Sequence, residues 1–174
     1  MTGYAAFLRG INLGPVNKIS MPRLREVAAG LGYGAVATHI NSGNLVFTSD
    51  DARAAVARAL TEALRDDLPR PVDVAVRTRA ELAGVVAGNP FPDGDPSRVN
   101  VAFLMRPLTP EALERLTALA AGHELFTVTG SEVYVHYTSG LGTSVLAAKF
   151  NAVVGGATTR TIRTVRRVLE MVPV

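Results

Sequence analysis

Short apolar runs alternate along the chain with segments whose apolar residues recur every three or four positions, the marks of strands and amphipathic helices in turn. Gly3–Leu8 reads as a strand. Met21, Leu24, Val27, Ala28 and Leu31 share one face of a helix over Met21–Leu31, with Ser20 placed as its N-cap and Pro22 in the permissive first turn. Ala35–Ile40 and Leu45–Thr48 form a hairpin around Asn41-Ser42-Gly43-Asn44. A helix over Ala52–Leu68 turns Val56, Leu60, Ala63 and Leu64 inward, and Val72–Arg77 is a closing strand. The order βαββαβ is that of a ferredoxin-like unit. A short helix follows over Ala80–Ala87, where Thr78 and Glu81 have the spacing of a capping box.

Asn89 to Ser97 is rich in proline, glycine and aspartate and breaks all periodicity, so an internal boundary is placed there. The expected organisation is a first subdomain over residues 1–88, a connecting loop over 89–97 and a second subdomain over 98–174. The second half runs as a strand (Val99–Met105), a helix opened by Thr109-Pro110-Glu111, and a hairpin of Leu125–Thr129 and Glu132–Tyr137 about Gly130-Ser131. A helix over Gly142–Val154 comes next. No final strand is expected, and Thr161–Val172 reads as a helix, which makes the second unit βαββαα. The predicted fold is therefore α+β, a ferredoxin-like unit followed by a related one. The recurrence of element order at an offset of roughly 90 residues points to internal duplication; chance recurrence is the alternative, since α+β proteins reuse this order often.

The candidate chemistry gathers in one loop. Leu8 to Lys18 reads Leu-Arg-Gly-Ile-Asn-Leu-Gly-Pro-Val-Asn-Lys, between the first strand and the first helix. Glycine permits sharp turns and close approach, and asparagine tolerates unusual backbone angles while offering donors and acceptors. Arg9 and Lys18 supply cations, and a helix entrance adds unpaired N–H groups. These features suit a small anion, with Arg9 and Lys18 as charge and Asn12 and Asn17 as hydrogen-bond partners. A well-made strand-to-helix connection explains the glycines equally well. The loop lacks the G-x-G-x-x-G of a dinucleotide fingerprint and the glycine–lysine–serine sequence of a Walker A loop. In a βαββαβ sheet the third strand lies antiparallel beside the first, so Ser42 and Asn44 should meet the Arg9 loop; a plain turn around Gly43 is the competing explanation.

At 48% apolar residues the chain has the material for a core. The net charge of +3 is spread over both halves, which permits acidic partners without demanding them. No cysteine is present, so disulfides and thiolate chemistry are excluded. No apolar stretch approaches the ~18 residues of a membrane span, and Arg9 interrupts the first apolar run too early for a secretory signal. A cytoplasmic protein is expected. His39, His123 and His136 are scattered without metal-ligand spacing, and the acidic pairs fall where capping and solvation explain them, so no metal site and no paired acid and base are expected. Arg160, Arg163 and Arg167 are spaced to share a face of the last helix, with Thr158 and Thr159 as caps. Such a face is solvated or meets an anion, since cations at a helix start oppose the dipole.

Taken in order, these segments resemble one bacterial family, domain of unknown function 1697. The resemblance rests on Leu8-Arg9-Gly10-Ile11-Asn12 with Gly14 and Asn17-Lys18, then Met21 and Leu24, and Thr38, Ile40 and Ser42-Gly43-Asn44 with Phe47. It continues through Asn89-Pro90-Phe91, Phe103-Leu104, Gly140, Gly142 and Ser144, and Thr159-Arg160 with Thr164-Val165. It implies an α+β fold with a ferredoxin-like N-terminal unit and brings no activity. Pro15, His39, Val145 and Thr161-Ile162 depart from the family's usual residues.

The function expected from the sequence is binding of a small anionic ligand, phosphorylated or nucleotide-like, through Arg9, Asn12, Asn17, Lys18, Ser42 and Asn44, with Arg160 as a second cation. The alternatives are nucleic-acid binding through the Arg160/Arg163/Arg167 face, and a non-catalytic interaction module whose glycines and asparagines only shape turns. The sequence names no catalytic residue, cofactor or oligomeric state.

Overall fold

The computed structural model describes residues 1–120 and 124–174; His123 lies outside them. Among the described residues the protein is a mixed α+β chain with two four-stranded antiparallel sheets and six α-helices. Its contacts divide it into two units, Met1–Gly84 with Arg166–Val174, and Val85–Val165.

The first sheet holds β1 (Thr2–Leu8), β2 (Gly34–His39), β3 (Asn44–Ser49) and β4 (Val74–Thr78) in the order β2-β3-β1-β4. The strands read as near-continuous apolar runs because both faces of β1 and β3 are buried. Tyr4, Ala6, Leu8, Leu45 and Phe47 point into a core shared with Leu24, Val27 and Ala28 of α1 (Met21–Gly30) and Val56 and Leu60 of α2 (Arg53–Ala63). Ser20 caps α1 as expected, its hydroxyl accepting from Arg23 N at 3.2 Å. Helix α2 stops at Ala63, short of the expected Leu68. Asp66 and Asp67 favour turns over helix interiors, and Asp67 receives two hydrogen bonds from Arg23, at 2.8 and 3.1 Å. Both limbs of the capping box form at α3 (Arg79–Ala87): Glu81 N donates to Thr78 Oγ1 at 3.2 Å, and Thr78 N to Glu81 Oε2 at 2.8 Å.

One buried group in this core lacks a partner. The Tyr33 ring stacks on Phe47 at 4.6 Å and 9°, but its hydroxyl has no hydrogen-bond partner among the described residues. Burial, with Asp51 and Tyr4 nearby, raises its pKa above the ordinary tyrosine value. Tyr33→Phe keeps the stack and removes the orphaned donor. Chemical denaturation should therefore show stability unchanged or raised by about 1 kcal/mol. A loss of that size would show that solvent satisfies the hydroxyl.

The second sheet holds β5 (Val99–Leu104), β6 (Leu125–Thr129), β7 (Glu132–His136) and β8 (Ala157–Thr161), ordered β6-β7-β5-β8. Ala102, Leu104, Val133 and Val135 form a core with Ala112 and Leu116 of α4 (Pro110–Ala120) and Leu146 and Phe150 of α5 (Val145–Val154). Helix α5 begins after Ser144, whose hydroxyl accepts from Ala147 N at 3.0 Å, and not at Gly142 as expected.

The largest departure from the sequence reading is β8. The expected βαββαα unit has a strand after its second helix, with Asn100 through Leu104 paired to Thr161 through Ala157. Thr158 and Thr159 are therefore ladder residues. Helix α6 (Ile162–Met171) starts later and is capped by Thr161, whose Oγ1 accepts from Thr164 N at 3.2 Å. Threonine's stiff, branched side chain suits a strand, and pairing with β5 supplies what the local pattern lacks.

Candidate functional site

The loop after β1 is fastened at both sides of the sheet end. Strands β1 and β3 pair antiparallel with Phe7 opposite Asn44, and Leu8 N donates to Gly43 O at 2.9 Å. On the other side β4 pairs with β1, and Arg9 N donates to Asp73 O at 3.0 Å. The loop thus sits between the Ser42-Gly43-Asn44 turn and the Arg70–Asp73 segment.

Its asparagines build the loop itself. Asn12 and Asn17 both adopt left-handed backbone angles, φ 57° and 54°, a conformation asparagine tolerates better than other side chains. Asn12 N donates to Asn17 O at 3.0 Å, which closes the loop on itself. The Asn12 side-chain amide donates to Ile19 O (2.9 Å) and to Asn41 Oδ1 (3.0 Å) and O (3.3 Å), while its Oδ1 accepts from Ile19 N at 3.0 Å. Asn17 is buried, and its Oδ1 accepts from Arg70 N at 3.1 Å. Asn44 is fully buried, its amide donating at 3.0 Å to Ser42 Oγ and at 3.0 Å to His39 O.

The cations divide. Arg9 Nη1 lies 3.0 Å from Asp73 Oδ2, with both side chains in contact with water, so the pair contributes about 0–1 kcal/mol and holds the guanidinium more by geometry than by energy. Lys18 is exposed and makes no hydrogen bond or ion pair among the described residues. Arg70 is exposed beside Asn17. The outermost part of the loop is apolar: Leu13 is 84% exposed and Val16 39%. Ile40, 56% exposed, belongs to the turn that Asn12 grips through Asn41.

Of the predicted site residues, Arg9, Asn12, Asn17, Lys18, Ser42 and Asn44 come together at one end of the first sheet. Arg160 stands on β8 in the other unit, opposite Val101, and its Nη1 donates to Thr158 Oγ1 (2.9 Å) and Thr159 O (2.8 Å). Burial pushes its pKa down to about 10. The predicted arginine stripe is thereby broken, because its first member is on a strand. The other two are exposed on α6, Arg167 bonded to Glu170 at 2.8 Å and Arg163 3.9 Å from Asp95. Sequence reasoning missed Asp73, Asn41 and Arg70. The topology that places Asn44 beside the loop also places the residue before β4 there, so Asp73 was within reach of the same argument.

Chemically the loop offers an apolar tip with cations at its base. Among the described residues it holds no base beside a nucleophile, and no group of acidic or histidine side chains is arranged to hold a metal. Cavities of about 380, 340 and 310 Å³ lie elsewhere, beside Thr78 and Pro173, beside Ser139 and Ser144, and beside Arg106 and Ser131. No helix of the described residues is long and apolar enough to cross a membrane.

The family described as "Protein of unknown function (DUF1697)" matches residues 1–134. Among solved structures, the chain is similar to a conserved bacterial protein from Streptococcus pneumoniae, at 23% identity and a TM-score of 0.76, over 98% of each chain. That likeness is one of fold. No curated protein matches the chain.

Proposed function

We propose that this chain, which belongs to the DUF1697 family, is a non-catalytic interaction module whose braced Arg9–Lys18 loop presents Leu13 and Val16 to a partner protein. The observation that carries the reading is the division of labour in the loop. The Asn12 amide and the Asn17 Oδ1 are engaged internally, Arg9 is paired, and Leu13, Val16 and Lys18 are left outward. A loop braced at its base by internal hydrogen bonds loses less entropy on docking than an unbraced one, which favours binding through a small apolar tip. Lys18 and Arg70 suit carboxylates around an apolar socket on the partner.

The second reading, a small phosphorylated ligand at Arg9, Lys18 and Arg70, is favoured by the exposure of the latter two. Thermal unfolding separates the readings. Inorganic phosphate, pyrophosphate and nucleoside triphosphates should leave Tm unchanged. A phosphate compound at ~100 times its Kd would add ~2.7 kcal/mol, very roughly 5–10 °C for this length. Such a shift, lost in Arg9→Ala, would overturn the module reading. A photo-reactive residue at position 13 should instead give one discrete cross-linked product in cells, lost when Lys18→Glu and Arg70→Glu are combined.

The same strand order in both sheets supports reading the two units as duplicated ferredoxin-like folds. So does the placement of Ala6-Phe7-Leu8 and Ala102-Phe103-Leu104 in the two central strands.

A further inference from the structure

The geometry points to the outer edge of β6 as a self-association surface, where a second copy of this chain adds its own β6 antiparallel and joins two sheets into one. Sheet edges expose unpaired N–H and C=O groups, and folded proteins guard them with charges, bulges or proline. Three of the four edges here carry such a guard. Strand β2 has a bulge between Gly34 and Ala37, with Ala35 at φ 48°. Strands β4 and β8 each carry an arginine, Arg77 and Arg160, as the fourth of five residues. Strand β6, Leu-Phe-Thr-Val-Thr, has no charge and no proline, and its register with β7 is unbroken.

The phase of its hydrogen bonds follows from the turn. Gly130, at φ 59°, and Ser131 make a two-residue connection, so Thr129 and Glu132 close the ladder as a hydrogen-bonded pair. By alternation Thr127 and Leu125 also spend their backbone groups on β7. Those of Phe126 and Val128 face outward, with no hydrogen bond to another element among the described residues. A second β6 centred on the same two-fold axis pairs Phe126 with Val128 of its mate in both directions and sets Thr127 against Thr127 at a close, non-hydrogen-bonded site. The inner side chains Phe126 and Val128 are already half-buried against the unit's core, so pairing extends that core. The outer Leu125, 56% exposed, gains cover.

Charge chooses the occupant. Glu124 lies at one end of β6, and exposed Arg106 shares a cavity lining with Gly130 and Ser131 at the other. Antiparallel self-pairing brings Glu124 of each copy to the Arg106 end of its mate, twice over in an isologous interface. A parallel arrangement does not.

Sedimentation equilibrium over a concentration series tests this. The full chain should reach a dimer at micromolar concentrations. Thr127→Lys, an exposed change, sets two ammonium groups face to face and should raise the dimer Kd about tenfold or more with an unchanged circular-dichroism spectrum. Thr127→Glu should do the same alone, and an equimolar mixture of the two variants should dimerise again. A wild-type chain that stays monomeric through the series, or a dimer indifferent to Thr127→Lys, overturns the proposal. So does a wild-type chain that pairs only with an added extended peptide.

Discussion

Gly43→Ala should cost about 2–5 kcal/mol of stability, the sum of about 1–2 kcal/mol for an L-residue at left-handed angles and about 1–3 kcal/mol for overpacking. The backbone at Gly43 has φ 73°, and a Cβ there would stand 2.7 Å from Ile11 Cδ1 and 2.8 Å from Leu8 Cβ. Neither neighbour has room to yield, since Leu8 and Ile11 are 1% and 2% exposed. At roughly 2–4 °C per kcal/mol for a chain of this size, Tm should fall by about 4–20 °C. Two other glycines of the region separate the causes. Gly10→Ala meets φ 66° with nothing within 4 Å, so it carries the backbone strain alone. Gly14→Ala meets neither obstacle and should be neutral or slightly stabilising, because it restricts the unfolded chain. The ranking Gly43 far above Gly10, and Gly10 above Gly14, is read from denaturant midpoints at constant m-value. A Gly43→Ala loss no larger than that of Gly10→Ala would show that Leu8 and Ile11 relax freely and that the turn does not lock the loop.

What the sequence makes legible follows from where the information lies. Periodicity places β1, α1, β3, β5 and α4 within a residue or two, because each strand or helix is specified by its own apolar pattern. Caps are equally local: Ser20, and Thr78 with Glu81, use residues at most three positions away. The failure at β8 is of another kind. Its residues Thr158 to Thr161 carry no apolar alternation, and the strong helical pattern from Ile162 onward extends backward through Arg160 when nothing stops it. What makes them a strand is β5, more than fifty residues earlier.

The candidate site shows the same divide. The residues of the Arg9–Lys18 loop stand out in the sequence because glycine, asparagine and cations crowd together there. Their partners do not. Asn12 bonds to Asn41, 29 residues on, and Arg9 to Asp73, 64 residues on. A sequence shows which side chains have donors to give, but only the fold shows to whom they are given. An asparagine-rich loop reads as a binding site whether its amides are free or, as for Asn12, already bonded to the protein's own groups. Because backbone carbonyls and N–H groups leave no composition signal, that commitment is invisible until the strands are paired.

Asn12→Ala should accordingly destabilise the protein by about 2–4 kcal/mol. The substitution strands Ile19 N–H and Ile19 C=O near the core, which costs about 1–3 kcal/mol, and it leaves alanine at φ 57°. It also releases Asn41, so the turn bearing Ile40 loses its tie to the loop. Asn12→Gly isolates the side chain's part, since glycine accepts the angle without strain and should recover about 1 kcal/mol of the loss. Hydrogen exchange gives the spatial signature: the amides of Ile19 and of residue 12, which donates to Asn17 O, should lose protection first, while those of β1 and β3 hold until global unfolding. The magnitude decides between the two readings of the loop. An asparagine kept for a ligand would be dispensable in the free protein, and its removal would shift stability by less than about 0.5 kcal/mol. A loss several times larger, with local release of Ile19, is what a side chain engaged in four internal hydrogen bonds must produce.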